Sequence, residues 1–212
     1  MKTNINIIWF KRDLRLRDHL PLQWACTDSV PILLLYILEP ALMAQPDSDA
    51  RHWRFVYQSI EELNRQLAPY KQRVWIWYGS AEAAFSWLHR HCAIQQVFSH
   101  QEIGNAWTYA RDRQMAQWFL QKGINWRQAP YSTVVRGRSN RRQWREEWQV
   151  VMDAPLFRCE PEQLGGTPLG PRLASKWLSI NELPAYLSEQ QQAFQPGGEL
   201  TAWRYLRDFF TE

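Results

Sequence analysis

Continuous apolar runs alternate with longer amphipathic segments along the first 137 residues of the chain. An uninterrupted apolar run between polar residues is typical of a strand that is covered on both faces of a parallel sheet. The predicted strands are residues 5–10, 31–37, 73–78, 94–99 and 124–128. The pattern therefore predicts a sheet of five buried strands.

The segments between these strands carry apolar residues at three- and four-residue steps, which place them on one face of a helix. Helices are predicted at 51–68, 80–91 and 106–122, with Ser80 as an N-cap and Gly123 after the last turn. Strands that alternate with helices predict an α/β fold with a doubly wound parallel sheet of the Rossmann-like kind. Ligands of such sheets bind at the carboxyl ends of the strands.

The pattern changes after residue 137. A basic stretch rich in tryptophan predicts a helix at 141–151, and Gly165 to Pro171 is typical of a loop. A second helix, with an apolar face that lacks a partner, is predicted at 200–210. We therefore expect an α/β domain at 1–137, a partly helical linker at 138–195, and the start of a truncated helical domain at 196–212.

Composition narrows the class of protein. The hydrophobic fraction of 45% and the charged fraction of 22% are globular values, and a net charge of +4 is compatible with nucleic-acid contact without requiring it. Cys26, Cys92 and Cys159 are odd in number and lack metal-ligand spacing, which predicts reduced thiols in a cytoplasmic protein. No apolar stretch has the length of a membrane span, and the five histidines suggest no metal site.

The turn after the first strand, residues 11–18, holds four cations and two carboxylates in eight residues. It has no Gly-x-Gly-x-x-Gly pattern, so its side chains must do the binding. Arg12 and Arg15 can bind a carboxylate or phosphate through two hydrogen bonds each, with Asp13 and Asp18 holding the guanidinium groups. The alternative is an ion-paired loop that fastens the sheet to a neighbouring element.

Two other strand ends are expected to complete a crevice with this turn. Glu102 follows the fourth strand, where it can accept hydrogen bonds from a ligand, and Asn105 is a predicted N-cap. Arg111 and Asp112 are adjacent and are expected to diverge toward separate partners. The candidate binding residues are Lys11, Arg12, Tyr36, Ile37, Leu38, Arg51, Arg54 and Glu102. No catalytic residue is predicted.

The basic residues between Arg136 and Arg145 are interleaved with Trp144 and Trp148, a combination that suits a nucleic-acid surface. Glu146 and Glu147 dilute the positive charge. A solvated connector helix is the favoured interpretation of this stretch.

These residues together resemble the photolyase/cryptochrome family. The segment from Trp9 to Asp18 is similar to the family's first-strand signature, although His19 stands where the family usually has Asn. The resemblance continues in order through Arg51 to Leu67, Glu102 to Asp112, and Gly197 to Phe209. It implies an N-terminal domain that carries an antenna chromophore, in a DNA-repairing lyase and flavoprotein that uses light and FAD.

The resemblance also implies that FAD and DNA bind to a helical domain beyond residue 212, so that this chain alone is inactive. Trp107 and Thr108 stand where the folate-binding branch has an Asn-Glu pair, which favours a deazaflavin or FMN antenna over a folate. An aromatic ligand is expected to stack on Trp9, Tyr36 or Trp107. A cryptochrome-type photoreceptor and a structural domain with a vestigial pocket are the alternatives. The chain is expected to be a monomer, or to associate through the exposed 200–210 helix.

Overall fold

The computed structural model describes residues 2–131, 134, 136–137, 139–189 and 194–211. Its strands are β1 (Thr3–Phe10), β2 (Ile32–Leu38), β3 (Val74–Tyr78), β4 (Cys92–His100) and β5 (Asn125–Ala129). They form one parallel sheet in the order β3-β2-β1-β4-β5. The predicted α/β fold class is confirmed, and the order reverses direction at β1, where β2 and β4 flank it on opposite sides.

The helices are α1 (Leu20–Cys26), α2 (Pro40–Met43), α3 (Ala50–Leu67), α4 (Ala81–His91), α5 (Ala106–Gln121), α6 (Trp144–Met152), α7 (Pro171–Ile180) and α8 (Glu199–Thr211). Ser80 and Asn105 are the N-caps of α4 and α5, as predicted. The sequence pattern did not predict α1, α2 or α7. The N-cap of α1 is His19, through its imidazole, and histidine is not a residue type that marks helix starts.

Hydrophobic side chains fill both faces of the sheet. Along β1, Ile5, Ile7 and Trp9 lie in the core beneath α4 and α5, whereas Ile8 and Phe10 lie in the core beneath α1 and α3. This alternation is the two-residue period of a strand. It explains why β1 reads as a continuous apolar run, because each face has its own helix layer.

Helix α7 fastens the chain after β5 to the sheet. Trp177 is buried against Trp75, Trp77 and Trp87, and its indole N–H donates to the carbonyl oxygen of Ile76 at 2.8 Å. By contrast, α6 buries none of its side chains. A tryptophan cluster is therefore one of the attachments of the region between β5 and α8, and the buried Leu164 and Leu187 are others.

Two carboxylates fix the N-terminus of α8. Glu199 accepts hydrogen bonds from the backbone N–H groups of Leu16 and Arg17, at 2.9 and 3.2 Å. Glu62 of α3 accepts from the N–H groups of Leu200 and Thr201, at 2.6 and 3.2 Å. Carboxylates are favourable at a helix N-terminus, where backbone N–H groups lack helical partners.

The cysteines depart from the sequence prediction. Cys26 and Cys159 form a disulfide across 133 positions, so the expectation of three reduced thiols is wrong for this pair. The fold brings the end of α1 beside the segment that follows α6, which sequence spacing does not reveal. Cys92 is a buried free thiol.

Among the described residues, no helix is long and apolar enough to cross a membrane.

Replacement of Gly197 by Ala is expected to weaken the attachment of α8. A Cβ atom at Gly197 would overlap the carbonyl oxygen of Phe55 and approach Ser59, so the 196–199 segment must move away from α3. We expect a loss of about 1–3 kcal/mol in the free energy of unfolding, measured by urea denaturation. Gly170→Ala is the matched control, because its added Cβ has no atom within 4 Å. Equal stability of the two variants would contradict the close contact.

Candidate active-site cavity

A cavity of about 1000 Å³ opens at the carboxyl ends of β1 and β2, beside the loop that follows β4. Its lining is mainly apolar and aromatic, with a small set of charged groups. The aromatic members are Trp9, Phe10, Tyr36, Trp53, Phe55 and Trp203. This volume and lining are typical of a site for a small organic ligand.

The structure brings most of the predicted binding residues to this cavity. Lys11, Arg12, Tyr36, Ile37 and Glu102 line it. The other three candidates lie elsewhere: Leu38 is fully buried in the core, Arg51 is half-exposed beside Asp49, and Arg54 contacts Glu189 at 3.8 Å. These three residues are therefore not among those that line the cavity.

Arg111 is the centre of the charged wall of the cavity. Its guanidinium contacts Glu39 Oε2 at 2.5 Å, Glu102 Oε2 at 3.0 Å and Asp112 Oδ1 at 3.0 Å. Two further contacts extend the network, from Arg12 Nε to Glu102 Oε1 at 2.8 Å and from Lys11 Nζ to Asp112 Oδ2 at 2.7 Å. Arg111 and Asp112 therefore contact each other as well as other elements, contrary to the predicted divergence.

Burial shifts the pKa values of this network. Desolvation lowers the pKa of Lys11 to about 8, although Asp112 acts in the opposite direction. Desolvation also raises the pKa of Glu39, against the effect of Arg111 and of the Ala81 N–H group. Desolvation opposes the charge of Arg111 too, yet Glu39 and Asp112 outweigh it and the pKa of Arg111 is raised. Arg111 is thus a fixed positive charge among buried carboxylates.

The acidic residues of the 11–18 turn do not hold its arginines as predicted. Asp13 accepts from the backbone N–H of Lys11 and lies against His100 Nδ1 at 2.5 Å and His19 Nε2 at 2.9 Å. The Arg15 guanidinium donates to the carbonyl oxygens of Arg17 and Asp18. The charged turn is held largely by histidine and backbone partners, and Arg12 alone of its arginines pairs with a carboxylate of this network.

Asp13, His19 and His100 are all buried, and their possible ligand atoms lie within 4.8 Å of one another. The chemistry of His19 opposes metal binding. Its Nδ1 atom accepts a hydrogen bond from the N–H of Leu22 at 3.2 Å, so the proton of the neutral ring is on Nε2, which faces Asp13. A metal on Nε2 would need that proton to move to Nδ1, against the Leu22 donor. Asp13 therefore joins the turn after β1 to β4 through a hydrogen bond with His100, and to the start of α1 through the 2.9 Å contact with His19.

The aromatic candidates have other partners. The ring of Trp9 stacks on Trp126 with centroids 5.5 Å apart, and the guanidinium of Arg111 lies 5.9 Å from the centroid of Trp107. Tyr36 is buried, and burial raises the pKa of its hydroxyl. Trp9 and Tyr36 are both buried, and both are among the residues that line the cavity.

Of the basic stretch, Arg136 belongs to the site. It donates to the backbone carbonyl of Glu102 and lies 3.9 Å from Asp112. Arg138 is outside the described residues. The side chains of Arg141, Arg142 and Arg145 are exposed.

Sequence reasoning missed the lining residues of α3 and α8, among them Trp53, Ala202 and Trp203. The apolar faces of the two helices are the sequence signals for these residues, but helical periodicity indicates only that such a face has a partner and not which one.

Comparisons with known proteins agree with this architecture. The DNA photolyase family model matches residues 6–144. A deoxyribodipyrimidine photo-lyase of Synechococcus is 25% identical over 197 residues, which cover 84% of this chain and 40% of that protein.

Two solved structures share the fold. The cryptochrome of Synechocystis aligns with a TM-score of 0.79 and 18% identity, over 99% of this chain and 47% of that chain. The photolyase of Sulfolobus tokodaii, described with two FAD molecules and a novel light-harvesting cofactor, aligns with a TM-score of 0.68 and 19% identity, over 95% of this chain and 45% of that chain. The chain spans less than half the length of each of these relatives.

Replacement of Arg111 by Met is expected to destabilise the protein by about 3–5 kcal/mol, because Glu39 and Glu102 lose a buried cation. The loss should shrink at acidic pH, because burial raises the pKa of Glu39 and the protonated carboxyl group no longer needs that partner. Urea denaturation across a pH series measures both effects. Arg113→Met, an exposed position on the same helix, is the control and should change stability by less than about 0.5 kcal/mol.

We expect the His19 imidazole to be neutral in the folded protein at pH 6.5, the ordinary pKa of histidine. Burial lowers the pKa of His19, in spite of the opposite effect of Asp13. The folded state then binds fewer protons than the unfolded state, so the stabilisation by His19 is complete above pH 6.5 and decreases as pH falls through the lowered pKa. The stability advantage of the unmodified protein over His19→Asn should therefore shrink below that pH. Nitrogen-15 NMR of the imidazole measures the same transition directly, and a pKa of 6.5 or above would contradict the prediction.

Proposed function

The chain belongs to the DNA photolyase family, and we propose that its cavity binds an antenna chromophore that absorbs light for a flavin-dependent photolyase or cryptochrome. The observation that carries the proposal is the cavity of about 1000 Å³ at the carboxyl edge of the sheet. It lies where the sheet order reverses, which is the general binding position of open α/β folds. Its aromatic lining suits a flat heterocycle.

A flavin-type antenna, either a deazaflavin or FMN, is favoured over a folate. Trp107 and Thr108 stand at the two positions where the folate-binding branch has an Asn-Glu pair. Trp107 lies beside Arg111, and the buried hydroxyl of Thr108 donates to the carbonyl of Asn105 at 2.9 Å. Neither residue offers a carboxylate to a ligand. The Sulfolobus photolyase, described with two FAD molecules and with the implication of a novel light-harvesting cofactor, supports a flavin-type ligand by analogy.

We further propose that FAD and DNA bind outside these 212 residues, in a helical domain of which α8 is the first element. The chain spans only 40–47% of the longest-matching relatives, which leaves room for such a domain in a complete photolyase-like protein. Charge supports this division, because Lys11, Arg12 and Arg111 of the cavity wall already have carboxylate partners.

The proposal is tested by chromophore titration. The purified chain is mixed separately with FMN, a deazaflavin and a methenyl folate, and binding is followed by absorption and by quenching of tryptophan fluorescence. We expect saturable binding of a flavin-type ligand. Absence of binding by all three ligands would support a vestigial pocket and overturn the antenna proposal.

The position of the ligand is tested by a substitution that fills the cavity with a large side chain. Ala202 lines the cavity from α8, so Ala202→Trp is expected to weaken flavin binding by about tenfold or more. Arg204→Trp adds the same ring to the same helix at an exposed position outside the lining, and should bind normally. Equal affinity of the two variants would place the ligand elsewhere.

A further inference from the structure

We propose that the Cys26–Cys159 disulfide holds a strap across the cavity, and that its reduction by a dithiol opens the cavity to ligand exchange. The strap is defined as residues 153–160, between α6 and the short helix Pro161–Leu164. The inference concerns the regulation of the cavity and rests on the proposed function for the identity of its ligand. The movement of the strap does not depend on that ligand.

The strap lies at the edge of the cavity. Leu156 is one of the lining residues, yet 65% of its surface is exposed, so it sits where the cavity meets solvent. Arg17 and Asp18, which also line the cavity, lie on the turn that the strap contacts. A displacement of Leu156 would therefore widen the opening without changing the sheet.

Few contacts hold the central part of the strap in this place, whereas its C-terminal end continues into the Pro161–Leu164 helix, whose Leu164 is buried in the core. The backbone N–H of Phe157 donates to Asp18 Oδ1 at 3.2 Å, and two residues later Cys159 is joined to Cys26 at the end of α1. On the N-terminal side, α6 buries no side chain against the rest of the molecule. This single part-buried hydrogen bond is worth only about 1 kcal/mol, so the disulfide is the dominant attachment of the strap to the α1 side of the molecule.

The chemistry of release is thiol–disulfide exchange. A thiolate of the dithiol attacks one sulfur of the Cys26–Cys159 bond, the other cysteine leaves as a thiolate, and the second thiol of the reductant resolves the mixed disulfide. The dithiol loses two electrons and becomes a cyclic disulfide, while Cys26 and Cys159 gain those electrons and two protons. Both cysteines are partly exposed, which allows the attack. Cys92 is buried and its pKa is raised by burial, so it competes poorly in the exchange.

The experiment compares oxidised protein with protein reduced by dithiothreitol, in a Cys92→Ala background that removes the third thiol. Hydrogen–deuterium exchange of the peptide that spans 153–160 is expected to become about tenfold faster on reduction, while the peptides of β1 and α7 stay protected. Dissociation of FMN, measured by stopped-flow fluorescence, should accelerate in parallel. Cys159→Ser should reproduce the reduced behaviour without reductant.

The outcomes separate the two proposals. Exchange of the 153–160 peptide that stays within about twofold on reduction would overturn the strap. If the strap opens on reduction but the rate of FMN dissociation is unchanged, the strap does not control access to the cavity, and that part of the proposal is overturned. If FMN binds neither redox form, the deazaflavin takes its place in the dissociation measurement. If neither ligand binds, the proposed flavin function fails, and the exchange data still decide whether the strap opens.

Discussion

The carboxyl edge of the sheet depends on one buried cation. Arg111 of α5 neutralises Glu39 from the end of β2 and Glu102 from the loop after β4, and its neighbour Asp112 holds Lys11 at the end of β1. Three strand ends that are distant in sequence are thereby tied to a single helix. Buried carboxylates are expensive unless they are paired, so this arrangement keeps charged groups at an edge that would otherwise favour apolar side chains.

The same physical rule places α8. Its first backbone N–H groups have no helical acceptor, and the Glu62 carboxylate supplies one. The Glu199 carboxylate, in turn, accepts a backbone hydrogen bond from the turn after β1. These hydrogen bonds require the chain to pass close to α3. A Cβ atom at Gly197 or Gly198 would overlap atoms of α3, which explains the glycines at these two positions. The wall that α8 adds to the cavity, including Ala202 and Trp203, follows from this attachment.

Sequence periodicity predicted the five strands and the longer helices, because each of these patterns is local and repeats along one element. Residues at strand ends were also predictable as neighbours, since parallel strands share one edge. The partners of Asp13 and Arg111 were not predictable, because they depend on side-chain directions across elements that lie far apart in the chain. The disulfide between Cys26 and Cys159 was missed for the same reason, and short α1 was missed because histidine is an unusual cap.

The cations of the network differ in what they offer to a ligand. The side chains of Lys11 and Arg111 are almost completely buried. If either moved toward an anionic ligand, the buried carboxylate of Asp112 or Glu39 would lose its cationic partner. Arg12 has a side chain that is 53% exposed, and the carboxylate it contacts, Glu102, is also held by Arg111. Arg12 can therefore turn toward a ligand at little electrostatic cost. We infer that the buried pair preserves the shape of the cavity and that Arg12 is its adaptable charge.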